Sequence, residues 1–231
     1  MLLRSIPLAV VFAAFAATPA SADIQLQPLK DCYVAAQEGQ TEGILVEGAG
    51  FTPLTPVSFY LDNVLQNIRT EEGTPVETTF EGKLRGTVPA PFVEEGERSF
   101  TLRVVEDETL NAVEVHSRVT RLSVEQRPSQ ARTRERVRFR GRGFTDLTTP
   151  VYAHYVFAGK SRKTVRLGMP TGDCGRFSVK RRQFPFKNSP RRGLWTIQFD
   201  QSKTYDAQAP VRYALNIRVR KAIKPRQARA R

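Results

Sequence analysis

Gly48-Ala49-Gly50-Phe51-Thr52-Pro53-Leu54-Thr55-Pro56-Val57 and Gly141-Arg142-Gly143-Phe144-Thr145-Asp146-Leu147-Thr148-Thr149-Pro150-Val151 are one stretch written twice, with one inserted residue. The correspondence runs on toward the C-terminus. Gly82-Lys83-Leu84 answers to Gly175-Arg176-Phe177, and Phe100, Leu102 and Val104 answer to Trp195, Ile197 and Phe199. At the same offset, Leu122 and Val124 match Ile217 and Val219. The chain therefore reads as an internal duplication, with turn-rich units of roughly the size of a small domain.

Within each unit the apolar residues alternate, as in Ile44/Val46, Val57/Phe59/Leu61 and Phe100/Leu102/Val104. Alternation is the period of a half-buried strand. Turns such as Glu71-Glu72-Gly73-Thr74-Pro75 and Val93-Glu94-Glu95-Gly96 separate the runs, and 15 prolines disfavour long helices. About seven short strands per unit is the pattern of an immunoglobulin-like sandwich. The expected fold class is all-β, two tandem sandwiches. The G-x-G-F-T-x-L-T-P-V turn, followed by the later G-K-L or G-R-F hairpin, resembles bacterial immunoglobulin-like domains of the IPT/TIG type. That resemblance implies a spacer or binding module outside the cell, and it brings no catalytic residues with it.

The boundaries expected are a leader over residues 1–22, an acidic unit over 23–125, a basic unit over 126–220, and a basic tail over 221–231. Arg4, the apolar run Ile6 to Ala17 and Ala20-Ser21-Ala22 have the order of a cleaved secretory signal. No later apolar stretch is long enough for a transmembrane helix. The expected location is secreted or cell-envelope associated. Residues 23–125 hold 8 Lys/Arg against 18 Asp/Glu, a net of −10, whereas 126–231 hold 27 against 5, a net of +22.

The basic excess is concentrated in Arg132, Arg134, Arg136, Arg138, Arg140 and Arg142, at every second position. On a strand these would line one edge or face, about 6.6 Å apart, with Val137 and Phe139 buried behind them. The first copy has Gly43, Leu45 and Glu47 where the second has Arg136, Arg138 and Arg140, so one sandwich is built without the row. Three readings compete. Charge on an edge strand blocks association. Arginine forks capture a polyanion, such as an anionic cell-surface polymer, or an acidic protein. The basic unit docks on the acidic one. Lys180, Arg181 and Arg182 join the candidate anion-binding set, and Lys187 to Arg192 form a further basic cluster. Nucleic acid suits an exported chain less well.

Cys32 and Cys174 are the only cysteines. They either pair across the units, permitted by export, or stay apart as small buried side chains. As a competing function, Cys174 with His154 and Asp200 could form a thiol nucleophile acting on the cell wall. The Cys and His spacings hold no zinc pattern, and the Gly-x-Gly-Phe turns lie between strands rather than before a helix, so no metal or cofactor is expected.

Overall fold

The computed structural model describes residues 23–35, 42–70 and 72–220. The expected leader, the basic tail and Glu71 lie outside them. Every regular element among the described residues is a β-strand.

The first unit contains β1 (Gln25–Leu26), β2 (Cys32–Val34), β3 (Gly43–Ala49), β4 (Val57–Leu61), β5 (Val64–Gln66), β6 (Leu84–Pro89), β7 (Glu97–Glu106) and β8 (Ala112–Thr120). The second contains β9 (Ser123–Arg127), β10 (Arg136–Arg142), β11 (Val151–Phe157), β12 (Lys160–Gly168), β13 (Phe177–Arg182), β14 (Gly193–Asp200) and β15 (Tyr213–Val219). Sheets β1-β3-β6 and β13-β10-β9 are counterparts, as are β2-β8-β7-β4-β5 and β12-β11-β14-β15. With β2 set aside, both copies have the strand order of an immunoglobulin-like sandwich. The chain is two such sandwiches in tandem.

The repeated turn explains why both copies close in the same way. Phe51 and Phe144 are buried between their two sheets, at 4% and 0% exposure. The Phe51 N–H donates to Gly82 O at 3.2 Å, and the Phe144 N–H donates to Gly175 O at 3.1 Å. Both glycines have positive φ, +67° and +57°. A Cβ on Gly82 would lie 2.3 Å from Phe51 O, and one on Gly175 would lie 1.9 Å from Phe144 O. Only glycine permits this backbone contact, so the hairpin glycine and the turn phenylalanine work as a pair.

The boundary between the units differs from the sequence expectation. Val124 does not end a strand of the first unit. β9 pairs with β10, Val124 lies opposite Gly141, and Leu122 and Val124 are buried in the second core. The first unit ends at Thr120, and Arg121 and Leu122 link it to the next. The true partner of Val219 is Val119, since Arg98 pairs with Val119 and its counterpart Gly193 pairs with Val219. A constant offset fails here because the connection between β14 and β15 is longer than that between β7 and β8.

Strand β2 belongs to the inserted segment that the second copy lacks. It runs parallel to the end of β8, with Cys32 opposite Arg118. Tyr33 packs into the first core and Val34 into the second. Cys32 is bonded to Cys174, with a Cα separation of 5.1 Å. Cys174 O accepts from the Gly143 N–H at 3.0 Å, and Gly143 packs against Leu122. The bond therefore clamps the junction between adjoining ends rather than folding the units back on each other. Arg176 pairs with Glu97, and Arg118 with Asp173 at 3.4 Å, across the same junction.

Candidate anion-binding face

Strand β10 forms because Val137 and Phe139, both fully buried, supply an apolar parity that closes the second core. The opposite parity then has to face outward. Arg136, Arg138 and Arg140 are exposed and Arg142 is half-buried. Arg132 and Arg134 do not continue the strand. They belong to a turn in which the Glu135 N–H donates to Arg132 O at 2.8 Å and the Glu135 side chain accepts from the Arg132 N–H at 3.0 Å. The inward parity there would be Thr133 and Glu135, which have no bulky apolar side chain to bury. The expected row of six is thus four, spanning about 20 Å.

β10 is the central strand of its sheet, flanked by β13 and β9. Protection of a sheet edge therefore does not explain its charge. The neighbours across each ladder deepen it. Arg136 lies opposite Arg182, and Arg138 lies between Lys180 on one side and Arg127 on the other. Arg140 lies between Ser178 and Glu125. Side chains directly opposite on one face sit about 5 Å apart at Cβ, and like charges so placed repel. Among the described residues, Arg136, Arg138, Arg140, Lys180 and Arg182 have no ion-pair partner. The one carboxylate on this face, Glu125, pairs with Arg127 at 3.2 Å.

Arg181 is separated from its neighbours in sequence. It pairs with Val137 and so has the core-facing parity, half-buried. Burial pushes the Tyr155 hydroxyl up, and the Arg181 charge partly opposes that shift. Lys180 and Arg182 share the face with β10. Arg127 and Arg176 complete it, and nothing in their sequence spacing marked either of them. Pairing of β9 with β10 brings in Arg127, and Arg176 comes from the turn just before β13, bridged to Thr171.

Toward the first unit the face sinks into a depression of about 560 Å³ whose lining includes Arg127, Arg140, Arg142 and Arg176 and the single carboxylate Glu125. Arg142 reaches toward the loop carrying Glu94, Glu95 and Gly96. The acidic unit thus meets the basic one at Arg142 and Arg176, leaving Arg136, Arg138 and Arg140 uncovered. Parallel guanidinium forks on a rigid central strand can hold several phosphate, sulfate or carboxylate groups of one chain at once.

The thiol arrangement considered above is not assembled here. Cys174 has no thiol, being joined to Cys32. His154 is fully buried, with Nδ1 2.9 Å from Thr164 Oγ1 and Nε2 3.0 Å from Asp200 Oδ1 and 3.1 Å from Ser202 O. Both Nε2 neighbours are acceptors, so Nε2 carries a proton. Gln198 Nε2 donates to Asp200 Oδ2 and to Asp206 O, each at 2.7 Å. The cluster ties the long connection after β14 down onto the sheet. Among the described residues no group of three or more His, Cys, Asp or Glu could hold a metal ion. None of the described elements is a helix long and apolar enough to cross a membrane.

No family model matches the chain, and no curated protein matches it. Among solved structures, the β-glucuronidase of Parabacteroides merdae is similar at 10% identity and a TM-score of 0.28, over 85% of this chain but only 24% of that one. Bovine butyrophilin is similar at 9% identity and a TM-score of 0.27, over 87% of this chain and 100% of that one. Likeness this slight carries nothing about activity. The assignment of the fold rests on the strand order itself.

Proposed function

We propose that the chain is an exported, non-enzymatic binding protein whose second unit captures an anionic polymer on the outer face of β10. The observation that carries this reading is the like-charge pairing on that face. Arg136 against Arg182, and Arg138 against both Lys180 and Arg127, oppose folding, and the one acidic neighbour on the face, Glu125, pairs with Arg127 and leaves the other four cations without an ion pair. The first copy builds the same sheet with Gly43, Leu45 and Glu47 at the matching places, so the fold does not require the charge. A polyanion would relieve the repulsion on binding and release its own condensed counterions.

Two further features support the setting. A disulfide is at home in an oxidising compartment, in keeping with a leader over residues 1–22. The glycine–phenylalanine turn is the part that resembles IPT/TIG-type domains, which serve as spacers or binding modules outside the cell. The binding face is built on strands rather than loops, which holds the arginines in fixed register.

The test is the salt dependence of binding by the full chain to heparin and to a glycerol-phosphate polymer. Log affinity should fall linearly with log salt. Replacing Arg136, Arg138 and Arg140 by Gln should lower that slope by about 2–3. An unchanged slope and affinity in the triple variant would show that the face is only solvated.

A further inference from the structure

The second unit carries a cavity that the polyanion face does not use. It lies at the far end of β11, under the connection from β13 to β14, with a volume of about 370 Å³. That is within the range of pockets that hold small ligands. Its floor is aromatic. The Phe157 and Trp195 rings lie 4.9 Å apart, and the Phe186 and Trp195 rings lie 5.3 Å apart. Trp195 is held in place by its indole N–H, which donates to Arg191 O at 2.8 Å. Phe157 and Phe186 are only half-buried, so the floor is open to a ligand. The rim holds Arg162, Lys187 and Arg191, all exposed, and no acidic residue lines it.

This cavity is absent from the plan of the first copy. β11 runs to Phe157, seven residues, where β4 stops after five. The connection before β14 is longer than its counterpart before β7, and it carries Lys187, Arg191 and Arg192 where the first copy carries Glu94 and Glu95. A sandwich closes without these additions, so the extension, the aromatic floor and the basic rim are not demanded by the fold.

We propose that this cavity is a second binding site, for a small amphiphilic anion: a flat apolar ring system bearing a carboxylate, sulfate or phosphate. The aromatic floor takes the ring by stacking and apolar burial. The three cations, with no carboxylate among them, select the charged group. The site does not depend on the polyanion reading: Phe186 and Lys187 border a depression that also holds Arg136, Lys180 and Arg182, but Phe157, Arg162, Arg191 and Trp195 lie apart from the β10 face.

Trp195 is the sole tryptophan of the chain, so the full-length protein reports on this site directly. The probe is 8-anilinonaphthalene-1-sulfonate, followed by quenching of tryptophan emission and transfer to the dye. Saturable quenching is expected. Arg162→Gln, Lys187→Gln and Arg191→Gln should each weaken it by about two- to five-fold, the scale of exposed charge contacts, and together by about tenfold or more. Phe186→Ala should weaken it without the loss being restored at low salt. The uncharged analogue N-phenyl-1-naphthylamine should bind at least several-fold more weakly. Arg138 and Arg140 changed to Gln should leave the signal unchanged, which separates this site from the face. Absence of saturable quenching, or equal binding by the triple rim variant or by the uncharged analogue, would overturn the proposal.

Discussion

Arg138→Glu should make the protein more stable while weakening its hold on anions. Arg138 is central to the repulsion, lying opposite Lys180 on β13 and Arg127 on β9. A glutamate there converts two like-charge pairs into two opposite-charge pairs. Each cross-strand charge pair is worth roughly 0.2–1 kcal/mol, so the combined gain is about 1–2 kcal/mol after the poorer strand preference of Glu is allowed for. In a chain of this size such a gain raises the melting temperature by about 2–8 °C. Arg138→Gln removes the repulsion without adding attraction, and should give about half the effect. The assay is urea unfolding of the full chain at 20 mM and 500 mM NaCl. Screening at the higher salt should shrink the difference between wild type and variant, because the Debye length falls to a few ångströms. The same variant should elute from heparin at lower salt than wild type. Loss of stability at low salt, or a stability difference indifferent to salt, would refute the account of a face strained by its own charge.

Two further outcomes are expected. Replacing Cys32 and Cys174 by Ser should lower stability by about 5 kcal/mol at most, given a sequence separation of 142; titration of the denatured, unreduced wild-type chain should find no free thiol. Gly175→Ala should cost about 3 kcal/mol or more in urea unfolding, because its Cβ would strike Phe144 O at a positive φ. Gly159→Ala, at φ +72° but with open space around it, should cost only about 1 kcal/mol.

By itself the sequence determined the all-β class and the duplication. Alternation of apolar residues is a local property of a strand, and the glycine–phenylalanine turn repeats because each sandwich must make the same tight contact between Phe51 and Gly82, or Phe144 and Gly175. It also marked Arg136, Arg138, Arg140 and Arg142 as one side of a strand, since parity follows from pleating alone. It misjudged Arg132 and Arg134, whose spacing continues although no apolar residue opposite them anchors a strand. Tertiary structure alone decided what lies beside the row. Lys180 and Arg182 come from β13, distant in sequence, and Arg127 from the adjoining β9; their register is set by how β9 and β13 pair with β10. The same holds for Cys32 and Cys174, whose pairing depends on β2 lying along β8 at the junction. Side-chain type and local period are written in the chain; the neighbours across a ladder are the product of burying two faces at once, and no single stretch of sequence contains them.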